Sequence, residues 1–444
     1  MKTFTLGGVH PFDSKLTAKE QIQTANLPQT AIFLMNQHIG APATPVVKKG
    51  DEVKVGSLIA EASGFVSVPI HSSVSGTVSK IDFAIDATGK RVQAIYIKVE
   101  GDEWLDFIDR SPQLHSSTHL QGKEITDRIL KSGIVGLGGA CFPTHVKLTV
   151  PKGYKADVLV INGVECEPYL TADHRLMVER TAEVMEGIHL LMRSVSVEHA
   201  IVGIERNKPD AIKMMQAEAA KFTGIKVVPL KMKYPQGGEK QLIEALTGRK
   251  VPAPPAIPIH VGVIVQNVGT AFAVYEAVMK HKPLIERVVT ITGKSLASPK
   301  NLFVRLGTPL GDVIKECGDL PDDASKIISG GPMMGRALAS VDTPVCKGTS
   351  GVVIMSGSDA NRTMARTCIR CGKCVDVCPM GLEPYLLATS SNLQEWDVLE
   401  KNGISSCLEC GCCQFTCPSF RPLLDLVRVG KNKVAMIIRE RKKQ

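Results

Sequence analysis

At 444 residues, with 53 basic side chains against 44 acidic ones and a net charge of +9, the chain is long enough for about three domains and mildly basic. Aromatic residues make up 5% of it, too few for a platform that stacks nucleic-acid bases, and no stretch approaches the ~18 consecutive apolar residues of a membrane span. No charged start followed by an apolar run and a cleavage site opens the sequence, so a protein soluble or peripheral to a membrane is expected, in a reducing compartment where its thirteen cysteines stay free.

Residues 1–112 read as a β module. Short apolar strands around Val46-Val47 and Val53-Lys54-Val55 are broken by Gly50-Asp51 and Val55-Gly56 turns, and the rhythm repeats from Phe65 through Val68, Ile70 and Gly76-Thr77-Val78. The pattern resembles the barrel-sandwich domains of biotinyl and lipoyl carriers. The carrier's modifiable lysine is missing, with Ala62-Ser63-Gly64-Phe65 near its place, so a docking module is expected rather than a swinging arm. His10, in Gly7-Gly8-Val9-His10-Pro11, is a lone histidine and is read as structural.

Residues 113–285 change texture to alternating helices and buried strands: helix 125–132, strand 156–162, helix 173–194, strand 199–204, helix 209–222 and strand 225–230, a Rossmann-like α/β layered domain. Two features carry chemistry. In Gly136-Leu137-Gly138-Gly139-Ala140-Cys141-Phe142-Pro143-Thr144-His145-Val146-Lys147, three glycines let the backbone approach a flat ligand or a phosphate, which Lys147 can neutralise. Directly after a strand, Asn162-Gly163-Val164-Glu165-Cys166-Glu167-Pro168 sets two carboxylates one residue apart, where open α/β sheets place ligands and where carboxylates suit ribose hydroxyls or an amide.

These two loops, with Tyr234-Pro235-Gln236-Gly237-Gly238-Glu239 and Gln266-Asn267-Val268-Gly269-Thr270, resemble four segments of the FMN- and NADH-binding subunit of respiratory complex I, in the same order. The resemblance implies FMN contacts at Gly136, Gly138, Gly139, Lys147, Asn162 and Asn267, and nucleotide contacts at Glu165, Glu167 and Glu239. The chain departs from that pattern at Leu137, an arginine in the family, and at Cys141 and His145, both glycines there.

Residues 286–345, with a strand from Glu286, a second through Asn301 to Arg305 and a short helix to Ile314, resemble the ligand-binding β-grasp (SLBB-like) module that follows the flavin domain in the same family, and are read as scaffold. Gly330-Gly331-Pro332-Met333-Met334-Gly335 is read as a connecting turn.

Residues 346–444 hold Cys368, Cys371, Cys374 and Cys378-Pro379, then Cys407, Cys410, Cys413 and Cys417-Pro418. This is the C-x2-C-x2-C-x3-C-P run of a bacterial ferredoxin, twice, in which the fourth cysteine of each run ligates the other cluster. The expected sets are Cys368, Cys371, Cys374 and Cys417 for one [4Fe-4S] cluster, and Cys407, Cys410, Cys413 and Cys378 for the other, in an α-helical dicluster domain. Structural zinc prefers paired cysteines with a long gap, and disulfide frameworks belong to small secreted domains. Cys412 takes the place of Lys373 in the first run and is read as a loop residue. Beyond the motifs, Arg428, Lys431, Lys433, Arg439, Arg441, Lys442 and Lys443, interleaved with Val427, Val434 and Ile437, form a basic, partly amphipathic helix. A solvated face is its default reading, an acidic protein or an anionic lipid surface the alternative.

A β module, a flavin-type domain, a β-grasp module and a dicluster domain in this order resemble the RnfC (RsxC) family of Rnf electron-transport complexes, membrane-bound ferredoxin:NAD+ oxidoreductases that couple electron flow to Na+ or H+ movement. The resemblance implies two [4Fe-4S] clusters, FMN and NAD(H) as cofactors. It implies the membrane and iron–sulfur subunits of such a complex as partners, ferredoxin as an indirect one, and a peripheral place on the cytoplasmic side of the cell membrane. Two other readings stay open: an electron adaptor whose flavin-type domain has lost its ligands, and a subunit of a quinone- or 2-hydroxyacid-linked dehydrogenase.

Overall fold

The computed structural model describes residues 1–442; Lys443, counted with the basic tail above, lies outside them. The β module is two small facing sheets. One has the order Thr30–Leu34, Arg91–Val99, Gly76–Ile85, Glu52–Val53, and the other Thr44–Pro45, Leu58–Glu61, Ile70–His71. Phe33, Ile59, Ile70, Val78, Ile95 and Ile97 are buried between them, because strand residues alternate between faces and these occupy the inner ones.

In the α/β domain four parallel strands run in the order Ile225–Leu230, Ala200–Glu205, Val158–Asn162, Val263–Asn267. Both faces are covered. Val158 and Val160 pack with Leu242, Ile243 and Leu246 of the helix Glu239–Thr247, whereas Leu159 and Ile161 join the larger core that includes Ile188, Leu191 and Val274. A strand buried on both sides reads as a continuous apolar run, which is how Val158-Leu159-Val160-Ile161 reads. The single helix expected over 173–194 is two, Ala172–Glu179 and Thr181–Ser194. Arg180 leaves the helical region (φ −128°, ψ 38°), and the Thr181 hydroxyl donates to the Met177 carbonyl at 2.6 Å, supplying one of the carbonyls freed at the break.

The β-grasp sheet takes strands from outside 286–345. Its order is Ile22–Thr24, Lys300–Arg305, Glu286–Thr292, Gly351–Ser356, Ala324–Ser329, Arg336–Ala337. Gly351–Ser356, grouped by sequence with the cysteine region, is thus an inner strand here, and its Val352 and Val353 are fully buried. Ile22–Thr24, grouped with the β module, pairs in parallel with Asn301, Leu302 and Phe303.

Residues 2–24 form an arm rather than part of the β sandwich. Lys2 bridges to Leu230, Val9 pairs with Tyr234, Gly8 N–H donates to the Val377 carbonyl at 2.9 Å and Tyr169 N–H to that of Asp13 at 2.8 Å. The arm thereby ties the α/β domain to the cysteine region and the β-grasp sheet. At the other end, the helix Leu423–Arg441 buries Leu423, Val427 and Val434 against Leu387, Leu399 and Ile404. Among the described residues no helix is long and apolar enough to cross a membrane.

Candidate functional site

Asn162 and Asn267 end neighbouring parallel strands in register with each other, at the point where the strand order reverses and a crevice opens beyond the carboxyl ends. Each amide is held. Asn162 Nδ2 donates to the Gly237 carbonyl at 3.0 Å while its Oδ1 accepts from Val164 N–H. Asn267 Oδ1 accepts from Gly269 N–H at 2.8 Å, capping the helix Val268–Met279, and its Nδ2 donates to Asp173 at 2.6 Å.

The glycine loop closes over this edge. Gly136 exchanges backbone hydrogen bonds with Phe142 and Cys141 at the neck, a Cβ on Gly138 would meet the Asn267 side chain at 3.2 Å, and one on Gly139 would meet open space. Lys147, from the short helix Thr144–Leu148, donates to Glu239 at 2.7 Å and to the Val265 carbonyl at 3.3 Å, with both charged side chains partly exposed. Gly136, Gly138, Gly139, Lys147, Asn162, Glu239 and Asn267 therefore converge on one crevice. Both amides are engaged within the chain, but close backbone approach at the glycine loop and a partly exposed ammonium suit an FMN ring and phosphate, so these residues fit that group.

Glu165 and Glu167 belong to the same loop but turn elsewhere. Glu165 sits at φ +47°, and its carboxylate accepts the N–H groups of Asp173 and His174 at 2.8 and 3.1 Å, at the positive end of the helix Ala172–Glu179. The Glu167 carboxylate accepts from Met333 N–H (3.1 Å) and Met334 N–H (2.8 Å) and lies 3.3 Å from the Tyr234 hydroxyl. Burial pushes its acid up to about 7 despite these donors. The turn at 330–335 is thus a receptacle for Glu167, and a Cβ on Gly331 would collide with that carboxylate.

Sequence reasoning missed what holds this loop. Lys15 of the arm donates from Nζ to the carbonyls of Glu165 (2.8 Å), Glu167 (2.9 Å) and Leu170 (2.5 Å), and buried Lys208 to that of Val164 (2.7 Å). Desolvation lowers the Lys15 ammonium to about 8. Asp173, also missed, is raised by burial and by the charge of Glu165. No motif marks these residues; only Asp173 carried a signal, as an acid opening a helix.

The three departures from the complex I pattern each have partners of their own. Leu137 is buried, with its carbonyl accepting from Arg287. The Cys141 sulfur abuts Gly348, where an added Cβ would collide with it. His145 Nε2 meets the Phe65 carbonyl at 2.9 Å, docking the hairpin tip of the β module on the loop. His10 is exposed on the arm.

The two cysteine runs fold alike. Arg370 and Glu409 share φ +56°, Gly372 and Gly411 lie at +76° and +79°, and short helices follow at Lys373–Asp376 and Cys412–Phe415. Cys378, Cys407, Cys410 and Cys413 line one cavity with Leu382, Leu387, Leu424 and Val427, so three thiols of the second run meet the last thiol of the first. Cys374 instead feels the sulfurs of Cys417 and Cys368. The crossed convergence of four sulfurs in an apolar pocket fits a [4Fe-4S] cluster. Cys412 is fully buried and also lines that cavity, with its Sγ 3.8 Å from the Tyr234 carbonyl. In the basic helix, Arg428 and Lys431 pair with Glu409 at 3.2 and 3.0 Å and Arg441 with Asp397 and Glu400, so these three cations are engaged within the chain.

A flavin-type crevice joined to a pair of four-cysteine sites defines an electron-transfer protein of the iron–sulfur flavoprotein class. Family models match its parts: the RnfC barrel sandwich hybrid domain over residues 3–102, the Nuo51 FMN-binding domain over 129–276, the SLBB domain over 288–337 and a 4Fe-4S dicluster domain over 367–420. The chain is 48% identical over 391 residues to the C subunit of the proton-translocating ferredoxin:NAD(+) oxidoreductase complex of Clostridium ljungdahlii, covering 87% of this chain and 84% of that one. It is 44% identical over 430 residues to the C subunit of the Na(+)-translocating complex of Acetobacterium woodii, covering 96% of each, and 40% identical to the C subunit of the ion-translocating oxidoreductase complex of Rhodobacter capsulatus, covering 87% and 75%. The chain belongs to the RnfC family of ion-translocating oxidoreductase complexes.

Proposed function

We propose that the chain is the NAD(H)-linked subunit of an ion-translocating ferredoxin:NAD+ oxidoreductase, working with the other subunits of that complex as a peripheral protein on the cytoplasmic side of the cell membrane. When bound, FMN takes two electrons as a hydride and passes them on singly, which matches a nicotinamide to one-electron clusters. Gly136, Gly138 and Gly139 give the flavin close backbone approach, Asn162 and Asn267 present amides to it, and Lys147 meets its phosphate. Glu239 borders the nucleotide, whereas Glu165 and Glu167, held at a helix end and in the 330–335 turn, shape the loop beside it. Cys368, Cys371, Cys374 and Cys417 hold one cluster, and Cys378, Cys407, Cys410 and Cys413 the other. No side chain is needed as acid or base.

The observation that carries this reading is the path from the crevice to the cysteines. Gly237 receives Asn162, and three residues earlier Tyr234 donates to the Cys410 carbonyl at 2.9 Å. The four parts 1–112, 113–285, 286–345 and 346–444 are supported by the family segments, each of which falls inside one of them, with Ile22–Thr24 and Gly351–Ser356 lent to the β-grasp sheet.

The test is the cofactor content of anaerobically purified protein together with NADH-dependent reduction of a dye. About eight irons per chain, acid-extractable flavin and NADH-dependent turnover are expected, with flavin content falling in Lys147→Ala. Protein with iron but no flavin, and no response to NADH, would leave it an electron adaptor.

A further inference from the structure

The two cysteine sites differ in what surrounds them. The site of Cys378, Cys407, Cys410 and Cys413 faces inward, with Tyr234 on the Cys410 carbonyl, Gln241 Nε2 donating to the Pro379 carbonyl at 3.1 Å and the arm at Val377. At the other site Cys368 and Cys371 are exposed, and so is every residue from 361 to 373. That segment carries Arg362, Arg366, Arg370 and Lys373 and no acidic residue. Arg362 is paired with Asp425; Arg366, Arg370 and Lys373 form no salt bridge among the described residues. Arg366 N–H donates to the Ser419 carbonyl at 2.8 Å and Ser419 Oγ to that of Thr367 at 3.0 Å, which brings Phe420 and Arg421 alongside. Met364 and Ile369 stand out at 86% and 67% exposure, beside half-exposed Phe420. The nearby acids are Asp376 and Glu383, and Glu383 accepts from the Tyr385 hydroxyl.

Unpaired cations around exposed apolar side chains, set over a redox centre, are the makings of a docking face for an anionic protein: charge steers and registers the partner, and the apolar centre supplies contact. We propose that residues 361–373, with Phe420 and Arg421, dock an acidic ferredoxin-type iron–sulfur domain of a partner subunit. The Cys368, Cys371, Cys374 and Cys417 site is then the port of the chain, and the inward site is its link to the flavin crevice. The step at the port is the transfer of one electron between this cluster and the partner's, supplied in the NADH-oxidising direction by NADH; no bond or proton moves. The proposal rests on the cluster assignment above.

The probe is an acidic two-[4Fe-4S] ferredoxin, its binding to the iron-loaded chain measured calorimetrically. Affinity is expected to fall at least tenfold from 50 to about 500 mM salt, as screening of exposed charges requires, and tenfold or more in Arg366→Glu/Arg370→Glu at low salt. Glutamate is tolerated at position 370, since Glu409 holds the same backbone conformation in the second run. Iron content and NADH-dependent dye reduction are expected to match the parent; their loss in the parent itself would count against the function proposed above rather than against the docking face. Ile369→Asp should weaken binding as well, whereas Lys433→Glu/Arg439→Glu on the terminal helix should not. Unchanged affinity in the Arg366/Arg370 variant, an equal loss in the terminal-helix variant, or binding of those arginines to phosphatidylglycerol vesicles but not to ferredoxin overturns the proposal.

Discussion

The Tyr234 hydroxyl lies 2.9 Å from the Cys410 carbonyl, to which it donates, and 3.3 Å from the Glu167 carboxylate. One phenol thus touches the strand-end loop of the α/β domain and the ligand loop of the inward cysteine site, although these lie 176 residues apart for Tyr234 and Cys410. Tyr234→Phe removes the donor to the Cys410 carbonyl and the polar neighbour of Glu167, and a loss of about 1–2 kcal/mol is expected by chemical denaturation. Flavin content should hold while electron passage from reduced flavin to the clusters slows in stopped-flow traces.

Lys15 offers a second test, because its ammonium satisfies three carbonyls of the 165–170 loop. Lys15→Met buries those acceptors unpaired, at an expected cost on the order of 2–4 kcal/mol. The KM for NADH should rise about tenfold, with a smaller change in kcat, since the loop is loosened and no reacting group is removed. Lys15→Arg, whose guanidinium is too large for the site, is not expected to rescue.

Stability should carry a mark of Glu167. Its acid is raised from the ordinary 4.5 to about 7, so between these values the folded chain holds a proton that the unfolded chain has released, and the group's contribution falls as pH rises through that window. Glu167→Gln should flatten the decline by roughly 1–3 kcal/mol between pH 4.5 and 7. Denaturation midpoints of the two proteins that run parallel across that range would refute the assignment.

Crossed ligation separates the cysteines by spectroscopy. Cys378→Ala should abolish the same electron-paramagnetic signal as Cys407→Ala, with iron falling from about eight to about four per chain, while Cys417→Ala should remove the signal lost in Cys368→Ala. Cys412→Ala should keep its full iron content; a loss would make that buried thiol a ligand.

At the crevice, Lys147 and Glu239 hold each other at 2.7 Å, so a bound phosphate has to draw Lys147 from its partner. Glu239→Gln frees the lysine and is expected to tighten flavin phosphate binding severalfold, read by fluorescence titration, while weakening NADH.

Much of the fold was legible because its signals are local. The apolar run before Asn162 gave a doubly covered parallel strand, and the cysteine spacing gave two like-folded ligand loops. Where reading failed, the cause was remote. The β-grasp sheet borrows Ile22–Thr24 and Gly351–Ser356, which no local pattern assigns to it, and helix 173–194 breaks at Arg180 without a proline or glycine to announce it.

The sequence by itself marked the candidate residues for iron, flavin and nucleotide, because thiolate spacing, a glycine loop and amides at strand ends act over a few residues of backbone. Only the tertiary structure decided where they face. It turned Glu165 to a helix end and Glu167 to the 330–335 loop, set Cys141 against Gly348, and placed one cysteine site inward and the other at the surface. Those outcomes depend on contacts between residues far apart in the chain, such as Lys15 with Glu165 and Tyr234 with Cys410, and burial and hydrogen-bond partners come into being only when such segments pack together.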